Sequence, residues 1–246
     1  MVTSLRAARG VLRSLRIYHG DPARHRAMAA LYGQFIGPGD LVFDIGAHVG
    51  DRIRAFRRLG ARVVAVEPQP ALHRTLRTLF GRDEGVTLVP SAVGRTAGTA
   101  PMMINVDNPT ISTLSADFIA ASRGAAGWEG QAWPRSLDVS VTTLDALIAE
   151  RGVPSFIKLD IEGFEAEALA GLSQRVAALS FEVTTIQRAV GLAAIERCAA
   201  LGYTRFAPAL GESQELGAWR GADGIADWLT TLPHEANSGD IYARYE

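Results

Sequence analysis

Two short apolar runs, each ending at a carboxylate, constrain the fold of this chain more than any other feature of its sequence. The first run, residues 41–43, leads to Asp44 and to a glycine turn that spans residues 46–50. The second run, residues 62–66, ends at Glu67. The order strand, glycine turn, helix and second strand is typical of a doubly wound sheet that holds a nucleoside. Glycines let the backbone approach the ligand, and an acidic residue about 20 positions on binds the ribose hydroxyls.

The glycine spacing discriminates between two nucleoside cofactors. A dinucleotide-binding turn has the pattern Gly-x-Gly-x-x-Gly and seats a pyrophosphate on a helix N-terminus. This chain instead has Asp44-x-Gly46-x-x-x-Gly50, with one glycine fewer and with a carboxylate that would repel a pyrophosphate. The same carboxylate would attract the ammonium of S-adenosylmethionine (SAM), which carries a sulfonium and no phosphate. The pattern therefore favours SAM over NAD, although the two glycines by themselves also fit a simple tight turn.

We predict cofactor contacts along this edge of the sheet. Asp44 is assigned to the amino-acid tail and Glu67 to the ribose. The remaining candidate contacts are Gly46, His48, Gly50, Pro68, Ser91, Ala92 and Asp160. His48 has two interpretations, because an imidazole that titrates near neutrality is a candidate base, whereas packing within the turn is the more common role.

Composition restricts the class of protein and its surroundings. At 246 residues, with 48% hydrophobic and 21% charged residues, the chain suits one α/β domain of an ordinary globular enzyme. A net charge of −1 gives no electrostatic basis for nucleic-acid binding. The single cysteine, Cys198, excludes an internal disulfide, and no apolar run reaches the roughly 20 residues that span a bilayer. Residues 1–20 are Arg-rich and unlike a secretory signal. We therefore expect a cytoplasmic protein without stable membrane insertion.

Residues 1–37 are predicted to form a helical extension to a main domain at residues 38–246. Apolar residues in the first turns alternate with arginines in a pattern that indicates an amphipathic helix. They are Leu5, Val11, Leu12, Leu15 and Ile17. Such a helix either contacts a membrane surface or packs on its own domain, and we favour packing.

Strand and helix patterns alternate along the rest of the chain. Strands are expected at residues 41–45, 62–66, 86–89, 101–106, 139–141, 155–159, 178–184, 203–207 and 240–245. Helices are expected at residues 22–35, 50–59, 70–80 and 190–201, with shorter helices that end at residues 148 and 169. The alternation predicts an α/β fold with a doubly wound, mostly parallel sheet.

A second group of reactive side chains follows the strand expected at residues 155–159. Lys158 is the only lysine among 25 Lys and Arg residues, and a forked guanidinium cannot replace its compact ammonium in a tight site. Asp160 and Glu162 fall at the carboxyl end of a parallel strand, where either is a candidate general base. We predict catalytic roles for Lys158, Asp160 and Glu162. The alternatives are a lysine whose head reaches solvent and acids that cap the next helix. Glu165 is expected on a solvated helix face.

Four segments of the chain resemble the FkbM-type SAM-dependent methyltransferases. They are residues 44–50 (DIGAHVG), 66–68 (VEP), 143–145 (TLD) and 157–165 (IKLDIEGFE), and residues 239–243 (GDIYA) are also similar. The resemblance, over residues 38–184, implies a seven-stranded sheet, SAM as the cofactor and methyl transfer to a hydroxyl of a sugar or secondary metabolite. The chain departs from the family where His48 replaces the usual Asn and Phe164 replaces the usual His.

The sequence supports one preferred function and two alternatives. We predict a SAM-dependent O-methyltransferase whose acceptor is a hydroxyl of a small molecule or glycan, and no spaced ligand motif requires a metal. In the first alternative, the chain is a SAM- or nucleotide-binding module that acts through a protein partner without chemistry. In the second, which the glycine pattern disfavours, it is an NAD-dependent oxidoreductase. The sequence carries no signal for an oligomeric state.

Overall fold

Seven strands form a central sheet in which six run parallel and one, next to an edge, runs in the opposite direction. The computed structural model describes the backbone of residues 2–245 and the side chains of residue 6 and residues 8–245. In this part of the chain the strands are β1 (Leu41–Ile45), β2 (Arg62–Val66), β3 (Val86–Val89), β4 (Ala92–Val93), β5 (Gly98–Ile104), β6 (Arg135–Thr142), β7 (Phe156–Leu159), β8 (Ala178–Thr184), β9 (Arg205–Leu210) and β10 (Ser238–Arg244). The order in the large sheet is β3-β2-β1-β7-β8-β10-β9, and β10 is antiparallel to both neighbours.

Helices cover the sheet, and a small second sheet of order β4-β6-β5 lies beside it. The helices of the same described residues are α1 (Val2–His19), α2 (Pro22–Tyr32), α3 (Asp51–Arg58), α4 (Pro70–Phe80), α5 (Ala116–Ser122), α6 (Leu144–Arg151), α7 (Glu165–Ala170), α8 (Arg188–Ala200) and α9 (Ala222–Thr231). The α/β fold with a doubly wound, mostly parallel seven-stranded sheet, predicted from the sequence, is confirmed.

Strands β1 and β7 are buried on both faces, which explains their nearly continuous apolar sequences. Every residue of both strands is buried. Parallel sheets that carry helices on both faces have such runs instead of an alternating pattern. On one face, Phe156 packs against Tyr32 of α2 and Phe56 of α3, with ring centroids 5.8 and 6.4 Å away. Because both faces are covered, the two charged residues of these strands, Asp44 and Lys158, are held in the interior.

The strand register gathers charged side chains near the carboxyl end of the sheet. Asp44 pairs with Lys158 across β1 and β7, and Glu182 pairs with Asp240 across β8 and β10. Lys158 also pairs with Ser180, two residues before Glu182. Side chains alternate between the faces of a strand, so all four charged residues lie on the same face of the sheet.

Two regions differ from the sequence expectation. The strand expected at residues 139–141 is the middle of β6, an eight-residue strand with mostly exposed polar residues that completes the small sheet. Helices α5 and α9 have no counterpart in the prediction, because α5 is only seven residues long and α9 contains Gly224. Short length and an interior glycine weaken a helical pattern. Burial of Phe118 in α5 and Ile225 in α9, both 0% exposed, stabilises these helices through tertiary packing.

The N-terminal helices pack on the main body of the fold. Helix α2 buries Leu31 beside α3, and α1 turns Gly10 and Ser14 inward. Leu12 and Ile17 of α1 are 64% and 51% exposed. The preferred interpretation, packing of α1 on its own domain, is therefore correct, with Val11 and Leu15 half-buried and Leu12 and Ile17 facing outward.

Two further expectations concern the same region. The side chain of Leu5, part of the predicted apolar pattern, lies outside the described residues. Across residues 2–245, no helix combines the length and the apolar character needed to cross a membrane. The division into an extension at residues 1–37 and a domain at residues 38–246 stays a prediction.

Candidate active site

A cavity opens at the carboxyl ends of β1, β2 and β7, the edge at which open α/β sheets bind ligands. Most of the predicted site residues line it: Gly46, His48, Glu67, Pro68, Ser91, Ala92, Asp160 and Glu162. Asp44 and Lys158 lie further down their strands, and Gly50 lies at the start of α3. The tertiary structure therefore joins the two groups of residues that the sequence placed far apart.

Glu67 follows β2, and its buried carboxylate is held by the backbone of the glycine turn. Oε2 accepts a hydrogen bond from the N–H of His48 at 3.0 Å, and Oε1 accepts one from the N–H of Gln69 at 2.8 Å. Burial raises the pKa of Glu67 to about 8, although these two hydrogen bonds act in the opposite direction. Each carboxylate oxygen keeps a second lone pair, so the fixed group can still accept hydrogen bonds from two ribose hydroxyls.

Asp44 is a buried carboxylate without a partner. It is 1% exposed, and neither Oδ1 nor Oδ2 has a hydrogen-bond partner in the described chain. Burial raises its pKa to about 7, while the charge of Arg52 acts in the opposite direction. A buried polar group left unpaired costs about 1–3 kcal/mol, and more when it is charged. Since Ile45 and Gly46 next to it line the cavity, the orphaned carboxylate fits the ammonium of the SAM amino-acid tail.

The two glycines of the turn are required by neighbouring protein atoms. Gly46 has φ +85°, and a Cβ on it would lie 1.9 Å from the backbone oxygen of Asp160. Gly50 has φ +83°, and a Cβ there would lie 2.4 Å from the ring of Phe80. The sequence assigned both glycines to close approach of a ligand, whereas the structure shows that strand and helix contacts already demand them. Gly50 does not line the cavity, and its role as a cofactor contact stays a prediction.

His48 belongs to the same turn and packs within it. Its Nε2 lies 3.3 Å from the hydroxyl of Thr110, and its ring meets the Tyr18 ring edge-on at a centroid distance of 5.3 Å. Burial lowers the pKa of His48 to about 4. The imidazole is therefore neutral near pH 7 and a weak base, which favours packing over proton transfer.

Lys158 is fully buried, and its ammonium holds two carboxylates of the cavity wall. Nζ lies 2.9 Å from Oδ1 of Asp240 and 3.7 Å from Oδ2 of Asp160. Burial alone would lower the pKa of Lys158, but the charges of Asp240 and Asp160 outweigh it and raise the pKa above its ordinary value. Arg52 Nη2 lies 2.7 Å from the same Oδ2 of Asp160. The alternative of a lysine head in solvent is thus wrong, and Lys158 meets the cavity through two acids.

The charge on Asp160 follows from the same two cations. Burial alone would raise the pKa of Asp160, but Lys158 and Arg52 together lower it below its ordinary value. Asp160 is therefore ionised near neutral pH, and part of its hydrogen-bonding capacity is already used.

Glu162 faces the cavity with an unpaired carboxylate. It is 6% exposed, has φ +56°, and its carboxylate forms no hydrogen bond or ion pair within residues 2–245. Burial, followed by the charges of Asp160 and Glu165, raises its pKa well above the ordinary value. Helix α7 begins at Glu165 with Phe164 as its N-cap residue, so neither Asp160 nor Glu162 caps it.

Glu165 is buried, so its expected place on a solvated helix face is wrong. It is 2% exposed, and Oε1 accepts hydrogen bonds from the N–H groups of Ile161 at 3.0 Å and Gly163 at 3.3 Å. Burial raises the pKa of Glu165 to about 7, while its backbone hydrogen bonds act in the opposite direction. The side chain braces the loop that carries Glu162.

Two acidic residues that line the cavity, Glu182 and Asp240, were not predicted from the sequence as site residues. Glu182 of β8 lines the cavity, and its Oε2 is buried without a partner. Burial, then the charges of Glu162 and Asp160, raises the pKa of Glu182 well above its ordinary value. A signal existed, because a carboxylate within the apolar strand β8 is as unusual as Lys158 within β7.

The other wall comes from the N-terminal helices and from a loop after β9. Tyr18 of α1 and Glu212 of the loop line the cavity. Arg24 of α2 connects them to the body, with Nη1 2.6 Å from Glu212 and Nη2 3.2 Å from Asp51. Phe164 lines the cavity, so an aromatic ring stands where the family pattern has an imidazole.

Comparisons with known proteins agree with this arrangement. The model of the FkbM methyltransferase domain matches residues 44–212. The 31-O-demethyl-FK506 methyltransferase FkbM of Streptomyces tacrolimicus is 29% identical over 186 residues, which cover 65% of this chain and 71% of that protein.

Solved structures with a similar course of the chain are more distant. Precorrin-6y C5,15-methyltransferase from Geobacter metallireducens has a TM-score of 0.45 and 14% identity, covering 89% of this chain and 86% of that chain. Fibrillarin from Aeropyrum pernix, solved with SAM, has a TM-score of 0.46 and 9% identity, covering 89% of this chain and 75% of that chain.

Proposed function

The chain belongs to the family of FkbM methyltransferases, and on this premise we propose that it transfers a methyl group from SAM to a hydroxyl of a small molecule or glycan. Methyl transfer with SAM as the cofactor follows from the family, and the oxygen acceptor is the proposal. One observation carries it: Glu67 at the cofactor end and Glu162 at the other end line the same cavity. A hydroxyl bound at the Glu162 end has a buried carboxylate as its proton acceptor.

We assign cofactor binding to the residues around the glycine turn. Glu67 accepts hydrogen bonds from the ribose hydroxyls, and Asp44 neutralises the ammonium beside Gly46. The same wall is completed by His48, Pro68, Ser91 and Ala92. When bound, SAM supplies a methyl group that its sulfonium already activates. The protein therefore has to align the acceptor oxygen and remove its proton.

The acids of the acceptor end are suited to different tasks. Asp160 is ionised, but its Oδ2 is already held by Arg52 and lies near Lys158. Glu162 faces the cavity, and its carboxylate forms no ion pair within residues 2–245, so we assign it as the general base. Lys158 contacts Asp160 and Asp240. We therefore propose that Lys158 positions these two carboxylates and does not itself contact a developing alkoxide.

The lining of the cavity supports a polyhydroxylated acceptor. Ser112, Gln214 and Glu182 offer hydrogen-bonding groups, and Phe164 offers a ring that can pack on the apolar face of a sugar. The relative from Streptomyces tacrolimicus is named for methylation of a 31-O-demethyl compound, which favours oxygen as the acceptor atom here. The cytoplasmic location, expected from the single Cys198, stays a prediction.

Transfer of isotope-labelled methyl from SAM into a metabolite extract tests the proposal. We expect label in one or more products whose mass spectra place the methyl group on oxygen. Label on nitrogen or carbon would contradict the oxygen acceptor and leave methyl transfer in place. Tight SAM binding without any label transfer would favour the non-catalytic module that acts through a partner, and calorimetric preference for NAD would favour the oxidoreductase.

A further inference from the structure

Three carboxylates converge at the acceptor end of the cavity. One ligand oxygen from each of Asp160, Glu162 and Glu182 lies within 4.8 Å of the other two. Asp160 and Glu162 follow β7, and Glu182 lies in the neighbouring strand β8, so the sheet itself sets their separation. We propose that these three residues bind a hard divalent cation, Mg²⁺ or Ca²⁺. That this cation would also bind the hydroxyl of the methyl acceptor rests on the proposed function.

The spacing of the oxygens matches a cation of this class. Oxygen ligands lie about 2.0–2.1 Å from Mg²⁺ and about 2.3–2.6 Å from Ca²⁺, so two oxygens on opposite sides of the ion are about 4–5 Å apart. A span within 4.8 Å accommodates Ca²⁺ as the side chains stand and Mg²⁺ after a small contraction. An all-oxygen ligand set is typical of these two ions, whereas imidazole and thiolate ligands select other metals.

Within residues 2–245, neither Glu162 nor Glu182 forms an ion pair, although the carboxyl groups of Glu182 and Asp160 share a hydrogen bond, and this observation is separate from their proximity. Glu162 is 6% exposed, faces the cavity and has no hydrogen-bond or ion-pair partner within residues 2–245. Oε2 of Glu182 is also buried and unpartnered. The two nearest cations cannot serve them, because Arg52 holds Asp160 and Lys158 lies between Asp160 and Asp240.

An organic cation is a weaker explanation for the same acids. The ammonium of SAM has its own unpartnered carboxylate in Asp44, at the far side of Lys158 in the sheet register. Carboxylates at this separation repel one another unless they are protonated or share a cation. A divalent ion would remove that repulsion and leave coordination positions for water and for the acceptor's hydroxyl.

The loop that carries Glu162 is held firmly enough to present a ligand. The hydroxyl of Thr113 donates a hydrogen bond to the backbone oxygen of Glu162 at 2.7 Å. Glu165 accepts hydrogen bonds from the N–H groups of Ile161 and Gly163 on either side of it. A preorganised ligand set of this kind loses little side-chain freedom when the ion binds. A cation here would also lower the pKa of a bound hydroxyl and reduce the need for the imidazole that Phe164 replaces.

Metal titration without SAM or acceptor tests the site. The full chain, freed of metal with EDTA, is titrated with MnCl₂ while free Mn²⁺ is followed by electron paramagnetic resonance. We expect one Mn²⁺ per chain, displaced by excess MgCl₂ or CaCl₂. Glu182→Gln should weaken Mn²⁺ binding tenfold or more. The matched control is Glu167→Gln, which removes an exposed acid paired with Arg95 and should bind Mn²⁺ like the unchanged protein.

Thermal unfolding of the same proteins gives a second measurement. Excess CaCl₂ should raise the Tm of the unchanged protein and of Glu167→Gln but not that of Glu182→Gln. If Glu182→Gln does not fold, Glu182→Asp, which keeps the charge but retracts it, should show the weakened binding. Absence of Mn²⁺ binding, or equal binding by the Glu182 variants, would overturn the site.

Calorimetry with SAM separates this proposal from the proposed function. SAM binding and methyl transfer in a protein that binds no Mn²⁺ would overturn the cation site alone. Mn²⁺ binding lost in Glu182→Gln, in a protein that transfers no methyl group, would support the site and contradict the proposed function.

Discussion

The cofactor edge of the cavity, around Asp44 and Glu67, and the acceptor edge, around Asp160, Glu162 and Glu182, hold their carboxylates in different ways. At the cofactor edge, the backbone of one glycine turn holds Glu67 through the N–H of His48. At the acceptor edge, side chains from distant parts of the chain hold each other, since Lys158 meets Asp240 across 82 residues of sequence. A site that one backbone turn holds can therefore be recognised from a short sequence motif. A site that side chains of distant segments hold can be recognised only once the strand order is known.

Both edges also contain buried carboxylates that lack a partner, but they differ in number. The cofactor edge has one, Asp44. The acceptor edge has Glu162 and Glu182 beside an Asp160 that is already ion-paired. One carboxylate suits a single ammonium, and two beside a third suit a doubly charged ion. Substitutions at individual residues should therefore affect the two edges differently.

Gly46→Val should have the largest effect, because it disturbs both edges. A Cβ at Gly46 meets the backbone oxygen of Asp160 at 1.9 Å, so the carboxyl ends of β1 and β7 would have to separate. We expect SAM binding to fall below detection by calorimetry. The control is Gly39→Val, which has a similar φ of +86° with no atom within 4 Å of its Cβ. That variant should lose only about 1–2 kcal/mol through backbone strain. Equal SAM affinity in the two variants would mean that the close approach at Gly46 is unimportant.

Lys158→Met should destabilise the acceptor edge, where it removes the ion pairs with Asp160 and Asp240. Removal of one partner of a buried ion pair costs about 3–5 kcal/mol, because the other charge is left unpaired. Urea unfolding measures this loss, and adding Asp240→Leu to the same chain should recover part of it. The control, Arg95→Met, breaks the exposed pair with Glu167 and should cost less than about 1 kcal/mol. Similar losses in both single variants would show that burial of Lys158 does not matter.

Asp160→Asn should lower turnover by about 10²-fold while SAM affinity changes much less. The reason is that Asp160 lines the acceptor end and carries the charge that Arg52 and Lys158 maintain. Turnover and Tm are measured on the same preparation, with the exposed Asp117→Asn as control. A lower Tm with unchanged turnover per folded molecule would assign Asp160 a purely structural role.

Glu67→Ala should weaken SAM binding by at least about tenfold and leave the fold intact. Two hydrogen bonds of about 0.5–1.5 kcal/mol each would be lost, and a factor of ten corresponds to about 1.4 kcal/mol. Glu67→Gln, which keeps one acceptor oxygen, should lose less affinity than Glu67→Ala. Calorimetry with SAM decides, and unchanged affinity in a folded Glu67→Ala protein would remove Glu67 from the ribose site.

The pH dependence of SAM binding should show the smallest effect and report on Asp44. Burial raises its pKa in the folded protein from 3.8 to about 7, with Arg52, Asp51, Lys158 and Asp160 as the neighbouring charges. Asp44 must be ionised to bind an ammonium, so its contribution should lower SAM affinity about fivefold from pH 7 to pH 6 and should level off above pH 8. Asp44→Asn should flatten this dependence.

The raised pKa of Asp44 should make the folded protein less stable as the pH rises, whereas SAM binding should become stronger. Because the folded-state pKa of Asp44 exceeds its unfolded value, its favourable contribution is complete below about pH 4 and is lost as the pH rises through 7. The contribution of Asp44 to the free energy of unfolding of the SAM-free protein should therefore be smaller at pH 8 than at pH 6. A stability profile that is identical in Asp44→Asn would contradict the raised pKa.

The cofactor edge was largely predictable from the sequence because its chemistry is local. Asp44, Gly46 and Glu67 stand at strand ends that the apolar runs mark, and the resemblance to the FkbM family is confirmed by the match over residues 44–212. The reason for the glycines was not predictable, because the atoms that crowd Gly46 belong to a segment more than a hundred residues later in the chain. The roles of individual site residues stay predictions.

The acceptor edge was predictable only where it follows one strand. Lys158, Asp160 and Glu162 share a motif, so the sequence placed them together. Glu182 and Asp240 join them because β8 lies next to β7 and β10 lies next to β8 in the sheet, an order that no local pattern encodes. The burial of Glu165 was misjudged for a different reason: its partners are the backbone N–H groups of an irregular loop before α7, a conformation that helical periodicity does not describe.

The fold class, the family and the positions of the strand-end carboxylates were all readable from the sequence, because apolar periodicity and glycine spacing act over a few residues. The tertiary structure decided which carboxylates are paired and which are not. Charge pairing depends on distances between strands, and those distances follow from the strand order and register. Lys158 illustrates both halves: the sequence marked it as unusual, and only its neighbours in the sheet, Asp160 and Asp240, revealed what its charge holds in place.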